Sequence, residues 1–119
     1  MFEEIIKDIV KQSIREIDFE AIKRNLVSAK EKLENDLKKS VDILNVADIL
    51  QKVMDEIQPN EYTKIKDVKL KKIHDDIWKI RDSLIMASHF KDKLNDQKIR
   101  EIVMKIKKYI KFVSSEREE

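Results

Sequence analysis

His74 and His89 are the only side chains in this sequence that titrate near neutrality without help. They stand fifteen positions apart in a stretch that reads as one helix. That spacing separates them by roughly 22 Å along the axis, so they cannot share a metal within that helix. Asp75 and Asp76 follow His74 directly, but neighbouring helical residues point about 100° apart and chelate poorly. Neither HExxH nor a pair of histidines at helical spacing with an acidic partner occurs. The expectation is no metal and no cofactor, with both histidines at the surface or hydrogen-bonded in a structural role.

Other chemistry is equally thin. The carboxylate pairs Glu3/Glu4, Asp55/Glu56 and Asp75/Asp76 arise by chance among 24 acids and serve solubility. No serine or threonine sits in a nucleophile context such as GxSxG. Glycine is absent, which excludes P-loop and dinucleotide phosphate cradles, and cysteine is absent, which excludes disulfides and thiolate metal sites. One stretch, Arg81-Asp82-Ser83-Leu84-Ile85-Met86-Ala87-Ser88-His89, resembles the arginine–histidine motif of HEPN ribonucleases, a family of small helical bundles. The resemblance covers one motif on one helix and implies a ribonuclease in which Arg81 and His89 act together. The seven intervening residues exceed the family's spacing. They turn the two side chains about 80° apart on a helix, where the family's spacing keeps them nearly in line. An arginine so displaced cannot stabilise the charge that develops on a phosphate. An enzyme is not expected, and no small-molecule substrate is evident.

Two lysine-rich stretches point to binding instead. Lys64, Lys66, Lys69, Lys71 and Lys72 open the central helix, and Lys105, Lys107, Lys108 and Lys111 lie on the last helix with Tyr109 and Phe112 nearby. Lysines along an exposed groove neutralise phosphates and release counterions, and an adjacent aromatic ring can stack on a base. The competing reading is a solvated face in a lysine-rich chain, since 21 of the 26 basic residues are lysine. The net charge of +2 is unevenly placed: residues 1–59 carry −3 and residues 60–119 carry +5. An anionic partner would therefore meet the second half. Sequence-specific duplex reading is not expected, because arginines are few and the glycine of a helix-turn-helix is missing.

The elements that must position these residues are helices. The chain is 41% hydrophobic and 42% charged, with a single proline, Pro59. Without glycine it lacks the residue that β-hairpins and bulges require, whereas helices can be joined by Asn, Asp and Ser. Apolar residues recur at three- and four-residue steps, predicting helices over about 2–16, 19–39, 43–57, 64–93 and 97–113, with 114–119 a frayed tail. Asp18 and Asp96 are the expected caps of the second and last helices. The apolar stripe Phe19, Ile22, Leu26, Ala29, Leu33, Leu37 changes phase near Ser40 to Ile43, Val46, Leu50, Val53, Ile57, which predicts a break. The central helix collects Ile73, Ile77, Ile80 and Leu84, extended by Leu70 and Phe90.

The expected architecture is all-α: one domain over residues 1–119, an antiparallel four- or five-helix bundle. No apolar run approaches the roughly 20 residues of a membrane span, and the acidic N-terminus does not read as a secretory signal, so a cytoplasmic location is expected. The expected role is that of a non-catalytic helical subunit or adaptor that binds other macromolecules. Ile5, Ile6, Ile9 and Val10 span a broad apolar arc suited to a protein partner or self-association. A nucleic-acid-binding accessory subunit is the first alternative and the HEPN-like ribonuclease the second.

Overall fold

The computed structural model of the chain describes residues 17–35, 40–90 and 94–117. Among these residues the regular structure is four helices: α1 (Phe19–Asn35), α2 (Ser40–Ile57), α3 (Val68–His89) and α4 (Asp96–Arg117). No strand occurs among the described residues, so the all-α expectation holds. The helix expected over 2–16 lies outside them, as does Leu37 at the end of the first long stripe.

α1 starts where Asp18 was expected to cap it. The Asp18 carboxylate accepts from the Ala21 amide at 3.1 Å, satisfying one of the donors left free at a helix start. The Asp18 amide in turn donates to Glu56 Oε1 at 2.9 Å, tying the start of α1 to the end of α2. Ile22, Leu26, Ala29 and Leu33 bury the inner face of α1. α2 follows the shifted stripe, burying Ile43, Val46, Leu50, Val53 and Ile57 together with Ala47 and Met54. It begins at Ser40, three residues before the expected start.

The connection to α3 corrects the sequence reading. The helix expected from 64 starts at Val68, and residues 63–67 are not helical. Asp67, at φ −77° and ψ 120°, accepts from the amides of Lys69 and Leu70 and sets the first turn. Upstream, Asn60 Oδ1 accepts from the amides of Tyr62 and Thr63, and Gln58 Nε2 donates to the Thr63 carbonyl. These side chains satisfy backbone groups that a longer helix would have bonded internally. At the other end α3 stops at His89 instead of 93. Phe90 closes it with its amide on the Met86 carbonyl, leaving its own ring 56% exposed and off the core stripe. Residues 91–93 lie outside the described set.

α4 also departs in detail. Asn95 Oδ1 accepts from the Lys98 amide at 2.8 Å, so Asn95 is the cap and Asp96 is the first helical residue. The helix runs through Arg117, so residues 114–117 belong to it and not to a tail. Its inner face is rotated slightly from the expected one. Tyr109 joins Ile102, Val103, Ile106 and Val113 in the core, while Ile110 is only partly buried.

All four helices contribute to one apolar core, in which Leu26, Leu50, Ile77 and Ile106 are fully buried. Each such side chain contributes about 1.5–3 kcal/mol relative to exposure. Close packing joins α1 with α2, α2 with α3, and α1 with α4. α3 and α4 form no comparably close seam. Their inner faces share the core, while their flanks approach each other around open clefts.

Candidate nucleic-acid interface

The stripe beside the core face of α3 reads Lys69, Lys72, Asp76, Lys79, Ser83, and its counterpart on α4 reads Lys98, Glu101, Lys105, Lys108, Phe112. Both advance in steps of 3, 4, 3, 4, the spacing that keeps residues on one side of a helix. The two stripes face each other. Lys69, Lys72, Ile73 and Asp76 from α3 meet Lys105, Lys108, Tyr109 and Phe112 from α4 around a cleft of about 380 Å³. A second cleft, of about 230 Å³, shares Asp76 and Lys105 with the first and adds Lys79, Ile80, Ser83, Lys98, Glu101 and Ile102. Together they form one seam. From Lys69 to Ser83 it follows α3 for about 21 Å at the helical rise.

Six lysines against two carboxylates give the seam a positive surplus, and all six lysines are exposed. They make up six of its fourteen lining residues, compared with 21 of 119 in the whole chain. That is more than twice the share composition alone would give. Buried Ile73, Ile80 and Ile102 form its floor. Phe112, partly buried, stands at one end with the Lys69 ammonium 5.8 Å from its ring centroid.

One hydrogen bond crosses the seam. The Tyr109 hydroxyl donates to Asp76 Oδ2 at 3.2 Å. The ring is 8% exposed, and burial, with the Asp76 carboxylate beside it, pushes the pKa of the hydroxyl well above that of an ordinary tyrosine. Tyr109 therefore remains a donor at any physiological pH. It serves as a buried strut, so the accessible aromatic of the seam is Phe112.

The structure regroups the lysines singled out in the sequence. Lys69, Lys72, Lys105 and Lys108 converge on the seam. Lys64 and Lys71 instead line a cleft of about 340 Å³ with Gln58, Glu61, Tyr62 and His74. Lys107 points toward α1, in a cleft of about 570 Å³ that includes Leu33, Glu34 and Met104. There the Lys30–Glu34 ion pair at 2.7 Å, with Lys107 farther off, holds the Glu34 carboxyl below its usual range. Lys66 and Lys111 are exposed and line none of these clefts. Lys79 and Lys98, absent from the sequence-derived set, belong to the seam. Their signal was available as the three–four stripe flanking each apolar stripe.

The remaining candidates are placed as follows. His74 lies 3.4 Å from the Asp75 carboxylate, its sequence neighbour, and His89 is exposed at the last turn of α3. Among the described residues no three acidic or histidine side chains converge as a metal site would require. Arg81 and His89 share α3, about 12 Å apart along its axis and about 80° apart around it. Ile5, Ile6, Ile9 and Val10 lie outside the described residues. No described helix is long and apolar enough to cross a membrane. No family model, curated protein or solved structure matches the chain significantly.

Proposed function

We propose that this chain is a small, non-catalytic helical subunit that binds other macromolecules, and that what its α3–α4 seam binds is the backbone of a nucleic acid. Its four described helices would then act as an antiparallel bundle that holds two lysine stripes opposite each other. The observation that carries the reading is their convergence: Lys69, Lys72 and Lys79 on one wall, Lys98, Lys105 and Lys108 on the other. Cations facing one another across a cleft repel, and solvated lysines in a merely basic chain would spread to reduce that cost. A phosphate backbone lying between them removes the repulsion and releases its counterions.

The test is a fluorescence-anisotropy titration of a labelled oligonucleotide over a salt series. Binding at about 50 mM salt, weakening as salt rises with a log–log slope near −3 to −4, is expected if four to six phosphates are neutralised. Lys72→Glu/Lys105→Glu should abolish it, whereas Lys64→Glu/Lys66→Glu, outside the seam, should leave it nearly intact. A flat titration at about 50 mM salt, where phosphate contacts are strongest, overturns the reading. A labelled RNA incubated with the protein should also be recovered uncut. Cleavage that disappears in both Arg81→Ala and His89→Ala would replace the non-catalytic reading with a ribonuclease.

A further inference from the structure

Asp76 is out of place in a track for phosphates. It belongs to both clefts, with Lys72 and Lys79 one turn away on its own stripe and Lys105 across the seam. Among the described residues it is paired with none of these lysines. Its one partner is the buried, neutral Tyr109 hydroxyl on Oδ2, and Oδ1 has no partner among the described residues. A carboxylate left to neutralise its surroundings would pair with a lysine. This one is instead held by a buried donor on α4, and it lines both clefts.

A phosphate cannot sit against that oxygen, so phosphates are confined to the lysines on either side. What can face Asp76 is a part of the nucleotide that donates hydrogen bonds, and in a DNA strand that is the base edge. A carboxylate only accepts. Cytosine offers it the N4 amino group, whereas thymine and uracil carry the O4 oxygen at that place and offer only an N3–H flanked by two carbonyl oxygens, which the carboxylate meets less favourably. Ile73 and Ile80 beside Asp76, and Phe112 beyond, provide apolar surface for the face of a base. Asp76 is half-buried where the two clefts between α3 and α4 meet, a position suited to an unpaired base and not to the edge of a duplex.

We infer that the α3–α4 seam takes a single strand and that Asp76 reads one base in it, accepting a hydrogen bond from an exocyclic amino group and favouring cytosine over thymine or uracil. The inference rests on the nucleic-acid reading above and names the form and base that this site selects. The test compares short labelled oligo-dC and oligo-dT on the full chain near neutral pH, for wild type, Asp76→Asn and Tyr109→Phe, with folding checked by circular dichroism. Wild type should bind oligo-dC about tenfold more tightly than oligo-dT. Asp76→Asn, whose amide can accept or donate, should bring the two affinities together. Tyr109→Phe, which frees the carboxylate to turn, should narrow the gap between the two affinities. Equal wild-type affinities, or an Asp76→Asn variant that strengthens both equally and keeps their ratio, would overturn base reading and leave backbone binding standing. A duplex bound as tightly as its single strands would overturn the single-strand assignment. Failure of every oligonucleotide to bind would remove the nucleic-acid reading itself.

Discussion

Replacing Tyr109 by phenylalanine removes one hydroxyl and keeps the ring that packs in the core. The lost bond to Asp76 is 3.2 Å long and its acceptor is charged but only partly buried. A bond of that kind contributes about 1.5 kcal/mol, at the low end for charged acceptors. Near neutral pH the variant should therefore melt roughly 5–9 °C below wild type. The pH dependence carries the sharper prediction. The hydroxyl's pKa is raised in the folded state, so its contribution is fully present below the unfolded value near 10 and is lost as pH rises beyond it. In that range the unfolded wild-type chain ionises this tyrosine while the folded chain does not. Each pH unit then removes about 1.4 kcal/mol from wild type and nothing from the variant. The two stabilities should meet at about pH 11 and cross above it. Urea unfolding of both proteins at intervals from neutral pH to pH 11 measures the difference directly, and lysine titration, common to both, cancels. A difference that stays constant across the series would mean that the hydroxyl is solvated, and the strut between α3 and α4 would have to be abandoned.

Three further substitutions test the fold. Ile77→Ala opens a cavity at a fully buried position and should cost about 2–5 kcal/mol in urea unfolding. The adjacent Trp78→Ala, at a site 50% exposed, should cost about 1 kcal/mol or less by the same measurement, and equal losses would contradict the orientation of α3. Asp67→Ala removes the cap of α3 and should cost about 1 kcal/mol, with amide exchange accelerated at Lys69 and Leu70, whose amides it satisfies. Unchanged exchange there would return the start of the helix toward residue 64.

Much of the fold was legible because helix formation is local. The three–four recurrence of Ile22, Leu26, Ala29 and Leu33, and of Ile73, Ile77, Ile80 and Leu84, specifies which side of each helix is apolar, and those sides are buried. The change of phase near Ser40 was likewise visible, because two stripes out of register cannot lie on one face. Asp18 as a cap needs only the next turn of backbone. The errors cluster at helix ends, where several residues compete. Asp67 overrode the continuation through Ile65, and Asn95 capped α4 in place of its neighbour Asp96, because capping depends on backbone geometry that neighbouring polar residues can satisfy almost equally well.

The candidate site was legible only in its parts. Sequence supplied two lysine-rich stretches, grouped by adjacency, yet adjacent helical residues point different ways. Lys71 and Lys72 face different clefts, as do Lys107 and Lys108. What joins Lys72 to Lys105, and Asp76 to Tyr109, is the approach of two helix flanks separated by some thirty residues of chain. The sequence by itself determined the helical class, the apolar faces and the surplus of lysine in the second half, because each follows from composition or short-range periodicity. Only the tertiary structure decided which lysines share a seam and that a carboxylate stands among them, because those are properties of how the helices pack.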